Sequence, residues 1–117
     1  VDSPVDFDVI ELDRDTHRVV LHGRLDAAAA ERLDLKFTAA VGAAGRHAMI
    51  DLGAVEFIGS LGLRMFISVA RVLQRRGRRM VIFGARPAVL DVLETVALDE
   101  LIPVVPTEAE ARARLAV

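Results

Sequence analysis

Few side chains in this sequence could do chemistry, and their spacing narrows the choice further. There is no cysteine, which removes thiol nucleophiles, disulfide scaffolds and zinc thiolate sites together. The three histidines, His17, His22 and His47, show no i, i+4 pairing of the kind that brings two imidazoles to one metal. Each reads as a structural or solvated residue. Three serines complete the usual nucleophile and base partners, and no glycine-rich stretch has the length or the lysine of a phosphate-binding loop. The expectation is a protein that is not an enzyme, with no catalytic residue, no metal site and no cofactor.

One tetrapeptide stands apart, Gly59-Ser60-Leu61-Gly62. A strand-like run ending at Ile58 gives way there to a helical pattern with Ser60 in its first turn. As an N-cap, the serine oxygen would accept one of the unpaired amides of the helix start. As a modification site, a phosphate on the same hydroxyl would meet those amides and the positive end of the helix dipole. Both readings require a strand, a tight turn and a helix in that order.

The rest of the chain supplies such units repeatedly. Phe7 to Leu12 reads as a strand whose apolar positions shift phase, Phe7 and Val9 and then Ile10 and Leu12, as at an irregularity. Asp13-Arg14-Asp15-Thr16 is its turn, and Val19-Val20-Leu21 returns antiparallel because so short a link cannot make a parallel crossover. Leu33, Phe37, Ala40 and Val41 lie on one helical face that Gly42 or Gly45 ends, with Asp26 placed to cap it. Ala48 to Leu52 is a buried parallel strand, with Asp51 and Glu56 as loop and strand-end residues. Then follow a helix from Ser60 to about Arg75, a strand Met80 to Phe83, and a helix opened by Pro87 with Val89, Leu93 and Val96 on one face. Leu101 to Val105 contains Pro103 and precedes Pro106, which confines it to a sheet edge. Thr107 and Glu110 form a capping-box pattern for a last short helix.

This alternation predicts the α/β class: a single domain over residues 1–117, with a mostly parallel mixed sheet of four or five strands and about four helices. With 53% hydrophobic and 27% charged residues the chain is too apolar for disorder. Its longest charge-free run, Phe37 to Gly45, is too short to enter and cross a bilayer, so no membrane insertion is expected. The opening Val1-Asp2-Ser3-Pro4 lacks the basic-then-apolar pattern of a secretory leader. Together with the absence of cysteine, this points to the cytoplasm. A formal charge of −2 argues against direct nucleic-acid binding. The cluster Arg75-Arg76-Gly77-Arg78-Arg79 falls where a helix ends, and cations there complement the negative end of its dipole.

On the helix from Ser60, a 100° projection puts Leu63, Phe66, Ile67, Ala70 and Leu73 on the core face. Arg64, Ser68, Arg71 and Arg75 form a polar stripe, and Leu61, Met65 and Val72 lie beyond it as a second apolar strip. That strip either meets a neighbouring helix of the same layer or offers a surface to a partner.

Three segments carry a resemblance. Gly23-Arg24-Leu25-Asp26, then Asp51-Leu52-Gly53-Ala54-Val55-Glu56-Phe57-Ile58-Gly59-Ser60-Leu61-Gly62-Leu63, then Gly84-Ala85-Arg86-Pro87-Ala88-Val89 resemble the anti-sigma factor antagonist family, the STAS domain, in order and spacing from Phe7 to about Leu115. The resemblance implies a bacterial partner-switching regulator of transcription. The unmodified protein binds an anti-sigma factor with serine kinase activity and so releases a sigma factor, phosphorylation of one serine breaks that complex, and a serine phosphatase is a further partner. The acceptor falls on Ser60, and the acidic residue of the neighbouring loop falls on Asp26. The contact surface expected at the start of the second helix is made of Asp26, Gly59, Leu61, Gly62, Leu63 and Met65. The family's commonest pattern, Asp-Ser-Ser/Thr-Gly, is altered here by Gly59 and Leu61. The same resemblance admits two other roles, an accessory subunit or cytoplasmic domain of a membrane transporter and a stressosome-type scaffold.

Overall fold

The first hairpin turns on Asp13, whose carboxylate accepts the backbone N–H of Asp15 at 2.8 Å in the computed structural model, which describes residues 7–116. The reading of Val1 to Pro4 lies outside the described residues. Strands β1 (Phe7–Asp13) and β2 (Thr16–Leu25) pair antiparallel on either side of that turn, and the register slips between Glu11 and Asp13. The irregularity expected where the apolar positions change phase, between Val9 and Ile10, is found further along: Phe7 to Glu11 pair in unbroken register, and Phe7 and Leu12 reach opposite faces of the sheet by ordinary alternation.

Helix α1 (Ala27–Phe37) follows, and its last turn widens into a π-helical turn, Thr38–Gly42. Then come β3 (His47–Ile58), α2 (Ser60–Arg75), β4 (Met80–Phe83) and α3 (Pro87–Thr95). A 3-10 turn (Leu98–Glu100), β5 (Val104–Val105) and α4 (Glu108–Leu115) complete the chain. Pro87 occupies the first turn of α3, where its fixed φ suits a helix and its missing N–H costs nothing. Thr107 caps α4 by accepting from Glu110 N at 3.2 Å, the first half of the expected capping box, while the Glu110 carboxylate accepts from the Thr107 hydroxyl at 3.2 Å in place of the Thr107 backbone N–H.

The sheet runs in sequence order, β1-β2-β3-β4-β5, and every pair after the first is parallel. Alternation in β3 and β4 decides the two layers. Ala48, Ile50, Leu52, Met80 and Ile82 face a large core built with α1, α2 and α3, while Met49, Val81 and Phe83 face a smaller one closed by Ala111 of α4. Both faces of β4 are covered, which is why Met-Val-Ile-Phe is apolar throughout. Phe37 sits at the centre of the larger core, edge-on to Phe7 with ring centroids 5.5 Å apart and 5.7 Å from Phe66. Truncating Phe37 to Ala would cost about 3–5 kcal/mol.

Two expectations need correction. Asp51 is not in a loop: β3 is continuous, and Asp51 pairs with Val20 on one side and Phe83 on the other. Val96 is not on the buried face of α3, because the helix stops at Thr95 and turns Val96 outward, 51% exposed.

Candidate functional site

The site is made where two adjacent parallel strands end. Leu25 of β2 pairs with Ile58 of β3, and each strand gives way to a helix within two residues. Asp26 caps α1, its carboxylate accepting the N–H of Ala29 at 3.0 Å, as the sequence predicts. Gly59 caps α2 in an extended conformation with no side chain to accept a bond, and its own N–H donates to the carbonyl of Leu25 at 2.9 Å. The two turns are therefore tied to each other through one backbone bond.

Ser60 is the first residue of α2 and not its cap, so the capping reading of this serine is corrected. Its side chain is exposed and forms no hydrogen bond among the described residues. The first intrahelical bond of α2 runs from Leu63 N to Gly59 O at 3.1 Å, which leaves the amides of Ser60, Leu61 and Gly62 at the open end of the helix. No acidic residue lies in that first turn, so the positive end of the dipole is uncompensated.

Gly62 is where α2 rests on the strand ends. A Cβ there would come within 2.7 Å of Leu25 Cδ2 and 3.2 Å of Ile58 Cγ1, closer than packed carbons tolerate. Close approach explains Gly62 without a partner. Leu63 and Met65 are likewise buried, 8% and 2% exposed. Met65 stands beside Ala30 of α1 along a groove of about 220 Å³ that Glu31, Asp34, Leu61 and Arg64 also line. The second apolar strip of α2 is thus largely a helix–helix seam, and Gly62, Leu63 and Met65 are corrected from surface contacts to packing residues. Of the predicted surface, Asp26, Gly59 and Leu61 remain partly exposed around Ser60.

Two residues escaped the sequence reading. The guanidinium of Arg24 lies over the ring of Phe57, 4.6 Å from its centroid, and Phe57 is 38% exposed. The ring edge is 3.5 Å from the point where a Cβ on Gly59 would stand, so the pair borders the Ser60 turn. Arg24 and Phe57 are cross-strand neighbours 33 positions apart in the chain, and only their facing register brings them together.

The histidines lie elsewhere. At the opposite end of the sheet, His17 Nε2 faces the Arg46 guanidinium at 3.0 Å, and His47 Nδ1 accepts the N–H of Arg79 at 3.0 Å. Burial, reinforced by Arg46, lowers the pKa of His17 from the ordinary histidine value. Burial, reinforced by Arg78 and Arg79, does the same to His47. Both serve as neutral acceptors. His22 of β2 stands 3.4 Å from Asp8 of the edge strand β1. Among the described residues no group of three His, Cys, Asp or Glu could hold a metal ion, and no helix is long and apolar enough to cross a membrane.

A sequence profile described as the STAS domain matches residues 9–111. BtrV of Bordetella bronchiseptica, which carries the name of an anti-sigma factor antagonist, is 31% identical over 93 residues, 80% of each chain. The crystal structure of an anti-sigma factor antagonist from Mycobacterium paratuberculosis superposes with a TM-score of 0.81 at 27% identity, covering 100% of both chains. The same fold is seen in the antagonist SpoIIAA in its unphosphorylated form, at 24% identity and TM-score 0.77 over 95% of this chain and 96% of that one. The phosphorylated form of SpoIIAA from Bacillus superposes with a TM-score of 0.68 at 23% identity, over 93% and 98% of the two chains.

Proposed function

Because the chain belongs to the STAS domain family and is similar to its anti-sigma factor antagonists, we propose that it binds an anti-sigma factor in the cytoplasm and is switched by phosphorylation of Ser60. The observation that carries this reading is the placement of Ser60: exposed, without a hydrogen-bond partner among the described residues, and at the open positive end of α2 beside the Asp26 turn. An exposed hydroxyl is what a kinase needs.

A phosphate would add about 1.5 to 2 negative charges that the helix terminus can stabilise, so the fold survives modification. A partner fitted to the neutral serine would instead have to bury that charge next to the Asp26 carboxylate. An unfavourable contribution of about 3 kcal/mol weakens binding roughly a hundredfold. The surface the partner meets is centred on Ser60, Asp26, Gly59 and Leu61, extended by Phe57 and Arg24, residue types that anchor protein interfaces when their partners enclose them.

The test is phosphosite mapping after incubation with the cognate anti-sigma kinase and ATP, joined to calorimetry of three forms. The unmodified protein and Ser60→Ala are expected to bind, and Ser60→Asp is expected to bind poorly while remaining folded. Phosphate on another residue, or equal affinities for all three forms, overturns the switch. Capture of a permease in place of an anti-sigma factor from the native cell would favour the transporter-accessory role.

A further inference from the structure

The arginine-rich turn after α2 is not used by the site at Ser60, and its arginines differ from Arg71 on the helix before it. Arg76 donates to the carbonyl of Ala43 at 3.1 Å, Arg78 reaches Asp15 at 3.4 Å, and Arg79 donates to the carbonyl of Arg114 at 3.1 Å. These bonds fasten the turn to three other segments. Arg71, one helical turn earlier on the same face as Arg75, forms no ion pair or hydrogen bond among the described residues.

Arg71 stands at the mouth of a cavity of about 220 Å³ between the second half of α2, the start of β4 and the segment leading into β5. Its apolar wall is Ile67, Ala70, Met80 and Ile102, with Leu101, 63% exposed, at the entrance. Its polar rim is Arg71, Gln74, Arg78 and Arg79, and among the described residues no acidic side chain lines it. At about 30 Å³ per water the space corresponds to some seven waters, below the usual range for drug-sized ligands.

From this composition we infer that the cavity binds a small organic anion with an apolar body, of the class of a medium-chain carboxylate. The apolar wall takes the chain, and the arginine rim takes the carboxylate. A guanidinium fork matches a carboxylate in two parallel hydrogen bonds, and Arg71 has all its donors available for that geometry. A purely apolar ligand would leave the rim without a counter-charge, and a bare inorganic anion would leave the wall wet. Ser60 and Gln74 are separated by about 20 Å along α2 at 1.5 Å per residue, so the cavity is separate from the Ser60 surface. The inference does not depend on the anti-sigma reading.

The experiment is an amide NMR titration of the full chain with octanoate, with octanol and with inorganic phosphate. Octanoate is expected to saturate below about 10 mM with shifts centred on Ile67, Ala70, Leu101 and Ile102, and the other two probes to bind at least about tenfold more weakly. Arg71→Gln, a surface change that leaves the fold intact, is expected to weaken octanoate about tenfold and leave octanol unchanged. Ala70→Leu fills the cavity and is expected to abolish binding of both; its amide spectrum reports separately that the chain is folded. Equal affinity for octanol and octanoate, saturation by phosphate alone, no saturation by octanoate, or shifts centred on Phe57 and Ser60 would each overturn the assignment.

Discussion

The amide of Gly59 donates to the carbonyl of Leu25 at 2.9 Å, so the turn that opens α2 is hydrogen-bonded to the last residue of the strand before α1. That bond sets Asp26 beside Ser60 although 34 positions separate them in the chain. The proposed charge-based switch at Ser60 rests on this link between the two turns.

Ser60→Asp is expected to stabilise the isolated protein by about 0.3–1 kcal/mol, because α2 carries no acidic residue in its first turn to complement its dipole. Thermal unfolding at low salt checks this. The gain should shrink as salt is raised, since the group is exposed and screened.

Asp26→Ala is expected to cost about 1 kcal/mol through loss of the α1 cap, measured by urea unfolding. Asp26→Ser restores the cap without the carboxylate. If Asp26 opposes phosphate at the interface, the phosphorylated Asp26→Ser protein regains part of the lost affinity for the anti-sigma factor, while its stability stays near that of the parent.

Met65 and Leu61 should separate cleanly. Met65→Ala removes a side chain that is 2% exposed and is expected to cost about 2–5 kcal/mol. Leu61→Ala, at the partly exposed start of the helix, is expected to cost about 1 kcal/mol or less while weakening the partner complex. Denaturation curves read the first effect and calorimetry the second.

Acidification should destabilise the fold through His17 and His47. Both have folded pKa values below the ordinary value, so the unfolded chain takes up protons first as pH falls. Their contribution is fully present above the unfolded value near 6.5 and is lost as pH drops through it toward the folded values. Glu11, whose pKa is lowered by its hydrogen bond and ion pair with Arg46, loses its contribution in a more acidic window. In a double variant, His17→Gln places an amide oxygen near Nε2 and His47→Asn places one near Nδ1, so both acceptors are kept without titration. Urea midpoints between about pH 7.5 and 5 should then vary less steeply than in the parent.

Local signals in the sequence were enough to locate most elements, because each carries its own punctuation: Asp26 before α1, Pro87 in α3, Thr107 and Glu110 at α4. Ser60 was legible for the same reason, as a hydroxyl between a strand and a helix. What stayed hidden depends on neighbours distant in the chain. Met65 falls outside the face of α2 that meets the sheet, and it is buried because α1 packs on its other side, a placement that a helical projection does not contain. Asp51 reads as a loop residue from composition, but β2 and β4 flank it and hold it in the sheet. Arg24 and Phe57 meet only through the register of β2 on β3.

The two outer strands of the sheet also limit how this protein can meet others. The β1 edge carries exposed Asp8, Glu11 and Asp13 and breaks register near its end, while β5 is two residues long between Pro103 and Pro106. Acidic side chains, a bulge, brevity and proline are the devices by which sheets refuse to extend onto one another. β5 is too short to template strand addition, while the seven-residue β1, with Val9 and Ile10 exposed, relies on its acidic side chains and its bulge to discourage it. A partner that does not extend the sheet meets this domain through side chains and helix ends, such as the open N-terminus of α2.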